Sequence, residues 1–327
     1  AASAGGAFRV VAQPTPTTEP ATPVLPTQVE TAAPTENPSR ILLVDPAGAA
    51  TVELTDYLAG ITAENGLALE TITSPELPPQ PAATRVVIFL AEPANLADIA
   101  AASPDTQFIV SGAVDLAGIP NLSIIRARME DQVFMAGYLA MLISWDWRTA
   151  GLVPTDTVMA AEKANAFENG ARYLCGQCTS YYAPLIFFPL LGLESAQAGM
   201  NGWEGQVAVL EQSLVNSFYV DPSIVSPELL DRLAIIENTI TRDIYTVSLA
   251  GAAAPERFTA LVGADILPAL EQILPAVLTG SGGVTVGAEV KIVQNNDESV
   301  VTPGKIDNFN RVASDLAAGI IVPLSVP

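Results

Sequence analysis

Histidine is absent from the 327 residues, and that fact decides much of the chemistry open to the chain. It removes Ser-His-Asp and Cys-His nucleophile pairs, most zinc sites and the ordinary base that titrates near neutrality. Cys175 and Cys178 form a CxxC at the end of a predicted helix. Redox-active pairs lower a thiolate pKa at a helix N-terminus, so this pair reads as a small structural disulfide or as two inert thiols. Two thiols do not complete a four-ligand zinc site, and neither metal nor cofactor is expected. Paired carboxylates or a lysine could still serve an enzyme, but no spacing places such a pair, and the chain is read as non-enzymatic.

Binding chemistry has more to work with. Polar residues follow apolar runs at Asp45, Glu92, Ser111, Asp156, Asp221 and Ser248, with Thr51 opening a helix and Tyr219 near the end of a strand. Open α/β sheets place their ligand crevice outside the carboxyl ends of the strands, which makes these positions candidate ligand contacts. Trp203 and the pair Phe187 and Phe188 offer stacking surfaces. Each has a structural alternative: an Asp or Ser after a strand also caps the next helix, and large aromatics also fill cores. The GSGG at residues 280–283 follows a helix instead of opening one, so it reads as a turn and not a phosphate cradle. The NLS at residues 121–123 matches a glycosylation sequon at near-chance frequency, and NNDE at residues 295–298 lacks calcium-loop spacing.

The elements that would position these side chains centre on residues 130–178. A helix with Val133, Ala136, Gly137, Ala140 and Ile143 on one face has small residues where another backbone could approach. A buried strand, Thr149 to Val153, ends at Pro154, Thr155 and Asp156. A second helix then sets Ala160, Ala164, Phe167, Ala171 and Leu174 inward and Glu162, Lys163, Asn165 and Glu168 outward. Upstream, RILLVDPAG at residues 40–48 begins an alternation of strand and helix that runs to residue 125, and a similar alternation fills residues 183–326. Near-continuous apolar strands alternating with helices predict an α/β protein of two lobes, each a parallel β-sheet flanked by helices. The small-residue connector GAAAPERF suggests a crossing back, so lobe 1 is expected over 40–126 with about 252–290, and lobe 2 over 127–251 with about 291–327.

A net charge of −21 leaves no basic face for phosphate backbones and excludes nucleic-acid binding. The richest apolar runs, 133–145 and 181–193, fall short of the roughly 20 residues a spanning helix needs, so no transmembrane segment is expected. Residues 1–39 differ in kind. From Gln13 to Pro38 the segment is mainly Pro, Thr, Ala, Glu and Val without an aromatic residue, which predicts an extended, partly polyproline II spacer with a composition that would also suit O-linked sugars. Before it, Phe8, Arg9, Val10, Val11 and Ala12 form a short run with strand propensity, either a disordered end or a strand that pairs with a neighbouring molecule. Small residues at Ala1, Ala2 and Ala4 are what a processed secretory chain begins with, so the numbering is expected to start near a mature end.

The AGYLA helix, the short strand and the helix phrase FENGARYL together resemble the opening of the second lobe in the basic membrane lipoprotein family. Weaker similarity extends over residues 40–325, including Asn201, Gly202 and Trp203, the helix near Ile266 to Leu278 and the closing AAGIIVP. The resemblance implies a periplasmic-binding-protein type I-like fold and an extracytoplasmic solute-binding subunit that captures a nucleoside-like small molecule for an ABC permease. The family's base-stacking Ser-Phe-Asn phrase is replaced by DPAGAATVELTDYL, and its ribose-holding phrase by VDPSIVSPE and SLAGAAAPE, leaving Asp45 and Asp221 in loose alignment. The alternative expectation is a cell-surface structural or adhesive subunit of the same fold, assembling with identical subunits through the N-terminal strand.

Overall fold

The computed structural model describes residues 39–46, 48–74, 83–112, 116, 118–240 and 243–324, without the side chains of 237–240. Phe8 to Ala12 and the Pro/Thr-rich segment lie outside the described residues. From the first strand the chain runs β1 (Arg40–Val44), α1 (Val52–Glu64), β2 (Ala68–Ile72), β3 (Thr84–Phe89), α2 (Leu96–Ala102), β4 (Gln107–Gly112) and β5 (Leu122–Arg126). It continues with α3 (Met129–Ile143), β6 (Thr149–Pro154), α4 (Ala160–Cys175), β7 (Cys178–Thr179), β8 (Phe187–Phe188) and β9 (Leu190–Glu194). Then come α5 (Gly199–Gln212), β10 (Ser217–Val220), α6 (Pro227–Ile240), β11 (Tyr245–Leu249) and β12 (Ala260–Asp265). The last elements are α7 (Leu267–Leu278), β13 (Thr285–Gly287), β14 (Glu289–Asn295) and α8 (Pro303–Ala317).

The strands form two large sheets. The first has the order β13-β5-β4-β3-β1-β2 and is parallel throughout. The second has the order β14-β12-β11-β10-β6-β9 and is parallel except for β14, which runs against β12. The apolar run of β1 shows why these strands are buried on both faces. Ile41 and Leu43 pack under α1 and α7, while Leu42 and Val44 pack under α2, the period-two alternation of a strand with helices on either side. In the second sheet Val153 meets α3, α4 and α8, and Leu152 meets α5 and α6.

The return of the chain differs from the expected boundary near residue 252. GAAAPERF turns within the second lobe, because the apolar strand that follows, β12, pairs with β11 and not with the first sheet. Only α7 and β13 rejoin the first sheet and its core, and β14 is already back in the second. Pro189 stands between β8 and β9: β8 pairs antiparallel with β7, and β9 forms an edge of the second sheet.

Three short passages therefore join the lobes, Ala127–Arg128, Ile266 and Ala288. The strands β5 and β13 leave the first sheet at their carboxyl ends, and β12 leaves the second sheet at its own. Since neighbours in each sheet run parallel, the carboxyl edges of both sheets border the junction. That is the geometry of a hinge with a crevice beside it.

Candidate functional site

On the first lobe, Asp45 ends β1 and is nearly buried. Its carboxylate accepts hydrogen bonds from the Ala49 N–H (2.7 Å) and the Ala50 N–H (3.0 Å), folding the loop before α1. Thr51 caps α1, its hydroxyl accepting from the Leu54 N–H at 3.2 Å. This loop and the ends of β3 and β4 line one side of a cavity of about 150 Å³ through Ala49, Thr51, Leu90 and Ser111. The other side is Ala264, Asp265, Ile266 and Leu267, the passage from β12 into α7. Thr51 and Ser111 thus share one interlobe cavity, whereas Glu92 is exposed beyond Leu90 and does not line it.

Asp265 completes that cavity and is not among the candidate contacts that the sequence offers. One carboxylate oxygen accepts from the Leu267 N–H at 3.0 Å, and the other is paired with Lys291 of β14. The antiparallel pairing that brings Lys291 there joins strands more than twenty residues apart, so no local pattern announces it. Beside the first passage, Asp131 sits in the opening turn of α3 with Oδ1 buried and without a hydrogen-bond partner. Burial above all, with a smaller contribution from Glu130, raises its carboxyl to about 6 against the opposing pull of Arg128.

The facing edge belongs to the second lobe. Asp156, after β6, accepts from Ser195 Oγ (2.5 Å) and the Ala196 N–H (2.7 Å), bonds that tie two strand-end loops together and hold its carboxyl below the usual range. Asp221, after β10, is fully buried. Its Oδ1 accepts from the N–H and hydroxyl of Ser223, and its Oδ2 is 2.9 Å from Lys163 Nζ on α4. Tyr219 is buried beneath, stacked on Phe167 at 5.5 Å; its phenol is pushed well above its ordinary value by burial and by the Asp221 carboxylate.

Three expected contacts are interior instead. Trp203 faces the core from α5, packed with Val207 and Leu210 of the same helix. Ser248 is buried and donates to the Val220 carbonyl at 2.6 Å, fastening β11 to β10. Tyr219 has its ring in the core. In each case an inward-pointing side chain on a covered element meets the opposing layer before it can reach the crevice. Phe187 and Phe188 lie at the opposite, amino end of the second sheet, where Arg148, just before β6, stands 5.7 Å over the Phe188 ring. Cys175 and Cys178 are joined in a disulfide between α4 and β7. Among the described residues no group of three or more acidic or cysteine side chains is gathered to hold a metal ion, and no helix is long and apolar enough to cross a membrane.

No family model matches the sequence, and no curated protein sequence matches it. Solved structures do match. An ABC transporter solute-binding protein from Conexibacter woesei DSM 14684 superposes with a TM-score of 0.57 at 12% identity, over 88% of this chain and 98% of that one. A solute-binding protein of an ABC transporter system from Aeropyrum pernix K1 gives 0.51 at 10% identity, over 87% and 91%. A transcriptional activator of the comK gene from Bacillus halodurans gives 0.51 at 12% identity, over 86% and 99%. The fold is accordingly the two-lobed α/β fold of type I periplasmic binding proteins.

Proposed function

We propose that this chain is an extracytoplasmic solute-binding protein that captures a small molecule between its lobes and delivers it to an ABC permease. The observation that carries this reading is the cavity at the hinge, formed jointly by the carboxyl edge of the first sheet and the passage leaving the second. Closure of the lobes would enlarge such a contact around a ligand. Two of the similar structures above are solute-binding proteins of ABC transporter systems and one is a transcriptional activator. A net charge of −21 weighs against a nucleic-acid-binding role for this chain and so favours the transport reading.

Within that class, the AGYLA and FENGARYL patterns support the basic membrane lipoprotein branch. The hydroxyls of Thr51 and Ser111 with the Asp265 carboxylate suit a polyhydroxy ligand, such as the sugar part of a nucleoside. No ring face among the described residues lines that cavity, so the sugar is the portion it best accounts for. The test is a thermal-shift series with nucleosides, free sugars and amino acids on the intact protein and on Ser111→Ala. A polyol-bearing compound should raise the melting temperature saturably, by the equivalent of about 2.7 kcal/mol at a hundredfold excess over its Kd. The increase should shrink in the variant. Absence of any saturable shift from these classes would sink the proposal.

A further inference from the structure

An aromatic surface at the amino edge of the second sheet takes no part in the cleft. Trp145, Asp146 and Trp147 lie between α3 and β6, and Tyr181 and Tyr182 lie between β7 and β8. With Ser144 they line a cavity of about 500 Å³. The Trp145 and Tyr182 rings are stacked and nearly parallel, their planes 4° apart and their centroids 5.7 Å from each other. Trp145 is 45% exposed, Tyr181 76% and Tyr182 62%, and Leu185 and Phe187 of the same segment are 68% and 64% exposed. An apolar patch of this kind on an otherwise acidic molecule marks an interaction site.

The framework beneath these rings is rigidly specified. Arg148 is fully buried; it pairs with Asp146 at 3.1 Å and donates to the carbonyls of Ser213 (2.8 Å) and Tyr182 (2.5 Å). The other Asp146 oxygen accepts from the Tyr181 N–H at 2.5 Å, so a single ion pair joins both loops. Asp146 and Trp147 adopt left-handed conformations, φ 57° and 64°, unusual for consecutive residues that are not glycine. Such backbone persists where the surroundings over-determine it, and it clusters at functional surfaces.

Parallel Trp and Tyr faces with indole and phenol edges beside them are the chemistry that recognises polyproline II peptides: ring faces pack on proline, and edge donors reach carbonyls that the extended chain leaves unbonded. This chain's sequence contains a segment of matching composition. In PATPVLP, residues 20–26, Pro20, Pro23 and Pro26 recur every third residue. In a polyproline II conformation, with three residues per turn, they would fall on one ridge, about 9 Å apart. Residues 20–29 also contain no charge, and would meet another copy without adding to its acidic repulsion. We propose that the Trp145–Tyr182 groove binds the proline ridge of a second copy of this chain.

Two full-length variants test this, Pro20→Ala/Pro23→Ala/Pro26→Ala, which lacks the ridge, and Tyr181→Ala/Tyr182→Ala, which lacks the groove. The parent should self-associate with rising concentration in sedimentation equilibrium, and each variant alone should stay monomeric. Mixed, the variants should form a heterodimer, because one brings an intact groove and the other an intact ridge. In parallel, a synthetic peptide TEPATPVLPTQ should shift the indole emission of the ridge variant saturably, with at least a tenfold weaker affinity for the groove variant. Circular dichroism confirms that both variants are folded, which the exposure of Tyr181 and Tyr182 favours. A monomeric parent, a ridge variant that associates as the parent does, or a peptide that binds both variants alike would each overturn the proposal.

Discussion

Asp131 shows what burial does to one carboxyl group. Its side chain is 19% exposed, and the Arg128 guanidinium, 3.9 Å away, is shared with Glu130 at 2.7 Å. The group titrates near 3.8 when solvated and at about 6 in the fold. The native state therefore binds the extra proton between those values. What this group contributes to stability is greatest below about pH 4, declines as pH rises, and is lowest above about pH 6. Asp131→Asn keeps the shape and removes the charge. It should raise stability near neutral pH by about 1–2 kcal/mol in urea unfolding and flatten the dependence between pH 4 and 6. An unchanged pH profile would show that water reaches the carboxylate after all. Since α3 begins at an interlobe passage, the same substitution reports on the hinge without touching the cavity.

At the scale of elements, the pairing of α3 with α4 organises the second lobe. Gly137 of α3 lies against the Phe167 carbonyl of α4, and Gly170 of α4 lies against the Phe134 carbonyl of α3. A Cβ added at either glycine would overlap the opposing backbone, which has no flexible side chain to yield. The small-residue face expected of the first helix is thus a site of backbone approach, and Gly170 is its reciprocal partner. Gly170→Ala should cost about 2–3 kcal/mol through overpacking. Gly60→Ala, on an exposed turn of α1 with open space around it, should instead be neutral or stabilising by up to about 1 kcal/mol. Equal effects at the two positions in denaturant titrations would contradict the close contact.

For the whole molecule, the three short passages lie at one junction, and the proposed function requires them to serve as a hinge. The edges they bring together carry Thr51, Ser111 and Asp265 on the cavity and Asp156 and Asp221 on the second sheet. A ligand held by both lobes would favour the closed arrangement. Small-angle scattering on the intact protein should show a smaller radius of gyration at saturation with a compound that passes the thermal-shift test. A stabilising compound that leaves the scattering unchanged would place its site on one lobe only.

What the sequence determined by itself is local and compositional. Apolar runs such as RILLV and helical stripes such as that of α4 name the elements, because an element must bury whatever face its periodicity creates. The missing histidine and the acidic balance bound the chemistry without reference to any fold. Tertiary structure decided which polar groups face the cavity. Asp45, Asp221 and Asp265 look alike on paper and all three are engaged, Asp45 by backbone N–H groups, Asp221 by Lys163 and Ser223, and Asp265 by the Leu267 N–H and Lys291, yet of the three it is Asp265 that lines the cavity. It also decided that β12 joins the second sheet, and that the WDWR and SYYAPL segments form one aromatic surface. Those outcomes rest on partners far apart in the chain, such as Asp156 with Ser195 or Arg148 with Ser213. A local pattern fixes which way a side chain points along its own element, but only the folded chain fixes what it meets there.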